Sequence, residues 1–314
     1  MQTYQVIDSH TAGHPTRVIV SGVPPLKGPT VRARRDDFRA RFDHLRTRLL
    51  HEPRGHSAMV GAILTESTDA DFGAFFISSY VYLDMCGHGT IGLTRTLAAT
   101  GQIDVTTSAA QFSLETPAGI VTVDAEQGDD GSINASILNV AARANPDPID
   151  VELPETGQIA VSIATCGGRF ALVDAAAHSW PDDRDHVGDM CRRGAAIKNA
   201  VNAHLQDPVG SVLFYWDGDR RRARHLVVLE SNKFDRSPCG TGTSARLAVL
   251  HAQGRIDIDE PFVAEGVLGT SYHCRLEAVG NEIRPRIRGQ AHLTAFSTLV
   301  IEDTDPLADG FLCR

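Results

Sequence analysis

Two short stretches hold the residues best suited to chemistry: Asp84-Met85-Cys86-Gly87-His88-Gly89-Thr90-Ile91-Gly92 and Ser237-Pro238-Cys239-Gly240-Thr241-Gly242-Thr243-Ser244-Ala245. They share the pattern Cys-Gly-x-Gly-Thr, and in each a glycine-rich turn leads into an apolar run of helical spacing. Each thiol is therefore predicted at a helix N-terminus, where unpaired N–H groups and the positive end of the helix dipole favour thiolate over thiol. One such cysteine is more often an inert buried residue. Two in the same pattern, roughly half a chain apart, point to a shared task. The task that fits is inversion of a carbon stereocentre: one thiolate removes an α-proton while the other thiol delivers one from the opposite side, and the reverse reaction exchanges their roles. Charge building on a neighbouring carboxylate needs stabilisation, for which the backbone N–H groups of Gly87, His88, Gly240 and Thr241 are the natural donors. Glycine lets the backbone come that close.

Other uses of these residues are weaker. Neither motif has the Lys-Ser/Thr pair of a phosphate loop or the G-x-G-x-x-G spacing of a dinucleotide fold. Zinc would want Cys-x-x-Cys or His-x-x-x-His spacing, which is missing, so no metal is expected. Asp235 either binds a cationic substrate amine or caps the turn at Arg236. His88 either donates to substrate through its ring or satisfies a local carbonyl, and its place at a helix start favours the first. Cys166, Cys191, Cys274 and Cys313 read as structural.

The elements that must position these motifs are mostly strands. Strands are predicted from Thr3 to Ile7 and Thr16 to Ser21 around a polar loop, His10 to Pro15. A surface helix is predicted from Val31 to Leu50, with Phe38, Phe42, Leu45 and Leu49 on one face. Strands from Ala58 to Leu64 and Gly73 to Tyr82 then lead into Cys86, and a buried helix follows from Ile91 to Ala99. Further strands fall around Val105 and from Phe112 to Val123, turning at Glu115 to Gly119. The polar break Asp129-Asp130-Gly131-Ser132 is the expected domain boundary. The second half repeats the plan. Strands from Ile133 to Val140, Gln158 to Thr165 and Ala171 to Val173 precede a helix from Val187 to Leu205. Strands from Ser211 to Trp216 and His225 to Leu229 lead into Cys239. A helix from Ser244 to Gln253 ends at Gly254, and strands resume around Phe262 and over Ser271 to Leu276, Glu282 to Ile287 and Leu293 to Ile301. The order is many strands with one central helix, twice.

Composition supports a globular chain of 314 residues, 42% hydrophobic and 22% charged. A net charge of −9, with basic residues scattered except at Arg220-Arg221-Arg222, excludes a nucleic-acid footprint. Lys27, Lys198 and Lys233 are the only lysines, which leaves few candidates to hold pyridoxal phosphate, and no cofactor is expected. The N-terminus lacks the basic and apolar regions of a signal peptide, and no apolar run reaches membrane-spanning length. Six widely spaced cysteines fit a reducing cytoplasm. The expected partner is a small-molecule substrate, and a homodimer is left open.

Asp84 to Thr90, together with Asp235-Arg236-Ser237-Pro238-Cys239 through Ala245, resembles the proline racemase superfamily. The likeness extends through His10-Thr11, Glu52-Pro53-Arg54-Gly55-His56, Thr116-Pro117-Ala118-Gly119, Gly167-Gly168, Asp305-Pro306 and Gly310-Phe311, nearly the whole chain. It implies an α/β (α+β) fold of the diaminopimelate-epimerase type: two similar halves, each a curved sheet around a central helix, with the active site in the cleft between them. The halves would be residues 1–130 plus 291–314 and residues 131–290. The resemblance makes Cys86 and Cys239 the acid/base pair. Gly87, His88, Gly240 and Thr241 would hold the carboxylate, and Asp235 would approach the ring nitrogen. Relatives that dehydrate trans-3-hydroxyproline typically replace the second cysteine, and 3-hydroxyproline epimerases typically carry serine at the first. Two thiols therefore imply proline racemisation or 4-hydroxyproline 2-epimerisation, and the form Cys86-Gly87-His88-Gly89-Thr90-Ile91-Gly92 resembles the 4-hydroxyproline 2-epimerases, so that activity leads, with proline racemisation, 3-hydroxyproline chemistry and non-catalytic amino-acid binding as alternatives. Two departures bear on the ring hydroxyl. His14 stands where many relatives have an acidic residue or asparagine, and Gly210-Ser211 falls about where 4-hydroxyproline epimerases offer a histidine.

Overall fold

The computed structural model describes residues 1–145 and 147–313. The chain forms two compact units, Met1–Ile137 with the segment from Gln290 onward, and Leu138–Gly289.

In the first unit, β1 (Gln2–Thr11) and β2 (His14–Ser21) form a hairpin, followed by α1 (Val31–Leu50), β3 (Val60–Thr65), β4 (Phe72–Ser78) and β5 (Tyr82–Leu83). Then come α2 (Gly87–Ala99), β6 (Ala110–Thr116), β7 (Gly119–Gln127) and β8 (Ile133–Leu138). Pairing runs β1-β2-β3-β4-β6-β7, alternately antiparallel and parallel. Each parallel step is a crossover spanned by a helix, as parallel strands require. Strand alternation gives the sheet two apolar faces with a helix against each. Phe75 and Ile77 of β4 join Phe38, Leu45 and Leu49 of α1 in one core. Phe76, between them, turns the other way to meet α2 at Gly89. Every residue of α2 from Gly87 to Thr94 is buried, so this helix is enclosed on all sides.

The second unit contains β9 (Arg143–Ala144), β10 (Ile149–Leu153), β11 (Gly157–Thr165) and β12 (Arg169–Asp174), then α3 (Val187–Asn202), β13 (Ser211–Asp219) and β14 (Arg222–Val228). It continues with α4 (Gly240–Ala252), β15 (Phe262–Gly266), β16 (Ser271–Val279) and the start of β17 (Glu282–Ile301). Strands β11-β12-β13-β14-β15-β16 repeat the alternation of the first unit, with α3 and α4 at the same two crossovers. Val212 and Phe214 of β13 face the α3 core, while Leu213 and Tyr215 join Cys239, Ala245 and Val249. α4 is buried almost throughout.

Three expectations are corrected. The loop predicted from His10 to Pro15 is only a tight turn at Ala12 and Gly13, whose φ angles are 50° and 91°, and the rest lies in β1 and β2. Strict apolar alternation fails there because Ser9, Thr11, His14 and Thr16 are polar yet buried. No strand forms at Val105, which is held in an irregular segment after α2. The two strands expected over Glu282 to Ile301 are one. Its first half pairs with β16 and its second with β1, so an apparent gap at Gly289 is a change of partner.

Candidate active site

Cys86 is the N-cap of α2, in extended conformation (φ −142°, ψ 108°), with no side-chain capping bond. The turn before it is tied down twice. Arg35 of α1 donates to the Asp84 carboxylate at 2.6 Å, and the Asp84 carbonyl accepts the Ala118 N–H of the Thr116-Pro117-Ala118-Gly119 turn. The Cys86 Sγ lies 3.4 Å from His88 Nδ1. The His88 ring stands edge-on to His14 at 4.3 Å between centroids, and its carbonyl accepts the Thr11 hydroxyl. The tight β1–β2 turn thus brings Thr11 and His14 to the start of α2. His14 was singled out from sequence only as a departure, and the structure makes it a neighbour of His88. A methyl group on Gly89 would lie 2.9 Å from the Phe76 ring and 3.0 Å from Cys86 Sγ, so glycine here keeps the helix start against the sheet.

Cys239 is the N-cap of α4 but is built differently. Its φ of 65° is left-handed, a conformation that costs a non-glycine residue about 1–3 kcal/mol and persists where its surroundings over-determine it. The Gly242 N–H donates to its Sγ at 3.4 Å, and the Thr241 hydroxyl lies 3.7 Å from the sulfur. Gly240 and Thr241 form the first turn of α4, as Gly87 and His88 form that of α2. Asp235 is buried, and its Oδ1 accepts both the N–H and the hydroxyl of Ser237 at 2.9 Å. The cap is therefore at Ser237, one residue beyond Arg236, and it orders the approach to Cys239. Burial, and after it the nearby Asp235 carboxylate, pushes the Cys239 thiol well above its ordinary range. The helix start works against that by stabilising thiolate through the Gly242 N–H.

Of the remaining cysteines, Cys166 and Cys274 are buried, Cys191 is half-buried and Cys313 is exposed. Burial pushes Cys166 up to about 12 and raises Cys274 and Cys191 as well. Ser211 opens β13 on the face that, two residues on, places Leu213 against Gly242. A polar cavity of about 360 Å³ in the first unit, lined by Asp8, Arg17, Arg54 and His56 among others, does not include Cys86 or His88. Its arginines bond Asp8 and backbone carbonyls, which makes them structural. Sequence reasoning missed His225, which packs against Thr243, the last residue of the second motif. His225 is fully buried in β14, with Nδ1 3.1 Å from the Thr243 hydroxyl.

The sequence profile of the proline racemase family matches residues 6–312, and the chain belongs to that family. A 4-hydroxyproline 2-epimerase of Streptosporangium roseum is 38% identical over 329 residues, spanning 99% of this chain and 98% of the relative. A proline racemase of Clostridioides difficile is 34% identical over 332 residues, spanning 100% and 99%. A solved structure described as a hydroxyproline epimerase of Agrobacterium vitis with bound trans-4-hydroxy-L-proline matches with a TM-score of 0.92. It covers 100% of this chain and 95% of its own at 24% identity, and it shows the shared fold.

Proposed function

We propose that the chain is a cofactor-independent epimerase that inverts the α-carbon of 4-hydroxyproline, interconverting trans-4-hydroxy-L-proline and cis-4-hydroxy-D-proline. The observation that carries this reading is the pair of thiols, one capping each enclosed helix of two units with the same strand and helix order. In the forward direction one cysteine acts as thiolate and takes the α-proton, and the other, as thiol, protonates the opposite face. The carboxylate rests on the helix-start N–H groups of Gly87, His88, Gly240 and Thr241, which stabilise the charge that builds as the proton leaves. Asp235 pairs with the ring ammonium. The two thiols supply both proton transfers, so the reaction needs no electron sink from a cofactor. Relatives of both activities match along the whole chain, and the 4-hydroxyproline 2-epimerase match supports the hydroxylated substrate.

The assay incubates the protein with trans-4-hydroxy-L-proline, L-proline and trans-3-hydroxy-L-proline in deuterium oxide and follows optical rotation and α-deuteration. Inversion with deuteration of the 4-hydroxy compound is expected. Conversion of L-proline alone would instead support the second reading, proline racemisation, the activity named for a relative that matches along the whole chain. Cys86→Ser and Cys239→Ser should each lower turnover about 10³-fold, the scale of general acid–base catalysis, and full turnover by either variant would refute the two-thiol mechanism. We place the protein in the cytoplasm, the reducing compartment that its six widely spaced cysteines fit.

A further inference from the structure

The two copies of Cys-Gly-x-Gly-Thr hold their last residue differently. In the first copy the Thr90 hydroxyl donates to the Cys86 carbonyl at 2.8 Å, the same acceptor its own N–H uses at 2.9 Å. In the second copy the Thr243 N–H goes to the Cys239 carbonyl at 2.8 Å, but the hydroxyl reaches one residue further back, to the Pro238 carbonyl at 3.0 Å. A hydroxyl has one proton to give, so the His225 Nδ1, 3.1 Å away, must be the donor to Thr243. That sets the tautomer: Nδ1 carries hydrogen, while Nε2 is buried without a hydrogen-bond partner among the described residues. The ring is carried by β14, where His225 pairs with Tyr215 and Gly266 on either side.

The consequence falls on one peptide plane. The carbonyl of the Pro238–Cys239 peptide is held by Thr243, and its N–H donates to the Ser237 hydroxyl at 3.1 Å, with Ser237 itself fixed by Asp235. With both polar edges of the plane restrained, rotation about the next bond, the φ of Cys239, is restrained as well. Cys86, whose preceding carbonyl receives no such bond from Thr90, is extended. Cys239 is left-handed at 65°.

We propose that His225 and Thr243 form a positioning relay, from β14 through imidazole and hydroxyl to the Pro238 carbonyl, that fixes the left-handed backbone of Cys239 and so aims its thiol. The inference rests on the proposed acid/base role of Cys239. Neither relay residue touches the reacting atoms.

The test compares Thr243→Val, Thr243→Ser, His225→Leu, His225→Asn and Thr90→Val in the full chain. Two quantities are read: α-deuteration of trans-4-hydroxy-L-proline, and the ratio of iodoacetamide labelling at Cys239 and Cys86, followed by peptide mass spectrometry. Thr243→Val is expected to lower kcat by about 10²-fold, the scale of an ångström-sized misplacement, with KM changed little. Labelling should change at Cys239 and not at Cys86. Serine at 243 should restore both readouts, His225→Leu should act in the same direction, and asparagine at 225, which keeps a donor, should recover part of the loss. Thr90→Val should have a smaller effect, because its carbonyl acceptor keeps the backbone bond. Unchanged turnover and labelling ratio in Thr243→Val and His225→Leu would overturn the relay, as would equal changes at both cysteines with no rescue by serine. Labelling does not depend on the substrate, so the relay is tested even if the wild-type protein turns over none of the three imino acids. Turnover surviving in Cys239→Ser would overturn the role of Cys239 itself.

Discussion

The two thiols share a motif but not an environment. Cys86 has an imidazole at 3.4 Å and makes no side-chain cap bond, while Cys239 accepts the Gly242 N–H and sits near the buried Asp235. Burial comes first in raising the Cys239 thiol, and the Asp235 carboxylate adds to it by disfavouring a second negative charge. Because the pKa is raised, the thiol form persists at neutral pH and the thiolate grows in only as pH climbs. Asp235→Asn keeps an oxygen to accept from Ser237 and removes the charge, so the pH midpoint of Cys239 labelling is expected to move down. A midpoint that does not move, or moves up, would show that the carboxylate does not act on this thiol. Both cysteines and the glycines after them were legible in the sequence, because their chemistry is local to a helix start. His225 and the contact of His14 with His88 were not, since those pairings cross from strand to helix between positions far apart in the chain.

At the scale of the elements, the enclosed helices depend on having no side chain at chosen positions. A Cβ on Gly92 would come within 2.9 Å of Thr16 Cβ and Oγ1 and 3.0 Å of Ser9 Oγ, groups on the strand face that α2 covers. Alanine would gain about 1 kcal/mol of helix propensity over glycine but would overpack a filled interface, which costs about 1–3 kcal/mol. Gly92→Ala is therefore expected to lower the denaturation midpoint with little change in the slope. A rise in stability would mean that the helix can back away from the hairpin. Periodicity revealed α1 to the residue and the cores of α2 and α4, but it began both enclosed helices several positions late, at Ile91 and Ser244. Their first turns, Gly87 to Thr90 and Gly240 to Thr243, are glycine and polar residues that carry no apolar stripe. The same limit hid the buried polar ends of β1 and β2, where hydroxyls and an imidazole occupy positions that burial ordinarily gives to aliphatic side chains.

At the scale of the whole chain, the first unit is closed by residues from the far end. The second half of β17 pairs with β1 along its full length, and the tail beyond it is fastened at the Glu52-Pro53-Arg54-Gly55-His56 motif. Glu52 and Phe311 exchange both backbone hydrogen bonds, and Arg48 pairs with Asp309 at 2.8 Å. Arg54 donates to the carbonyls of Arg48, Leu307 and Ala308. Gly55 is required because a Cβ there would fall 2.2 Å from the Leu50 carbonyl oxygen. The motif is thus a clamp on the tail. Arg54→Ala strands carbonyls that a charged donor satisfied and is expected to cost about 1.5–3 kcal/mol, with KM for the imino acid unchanged. A chain ending at Ile301 should lose a similar amount, and combining the two changes should cost little more than either alone, because groups acting through one contact are not additive. Full additivity in thermal unfolding would mean that Arg54 stabilises the end of α1 independently of the tail.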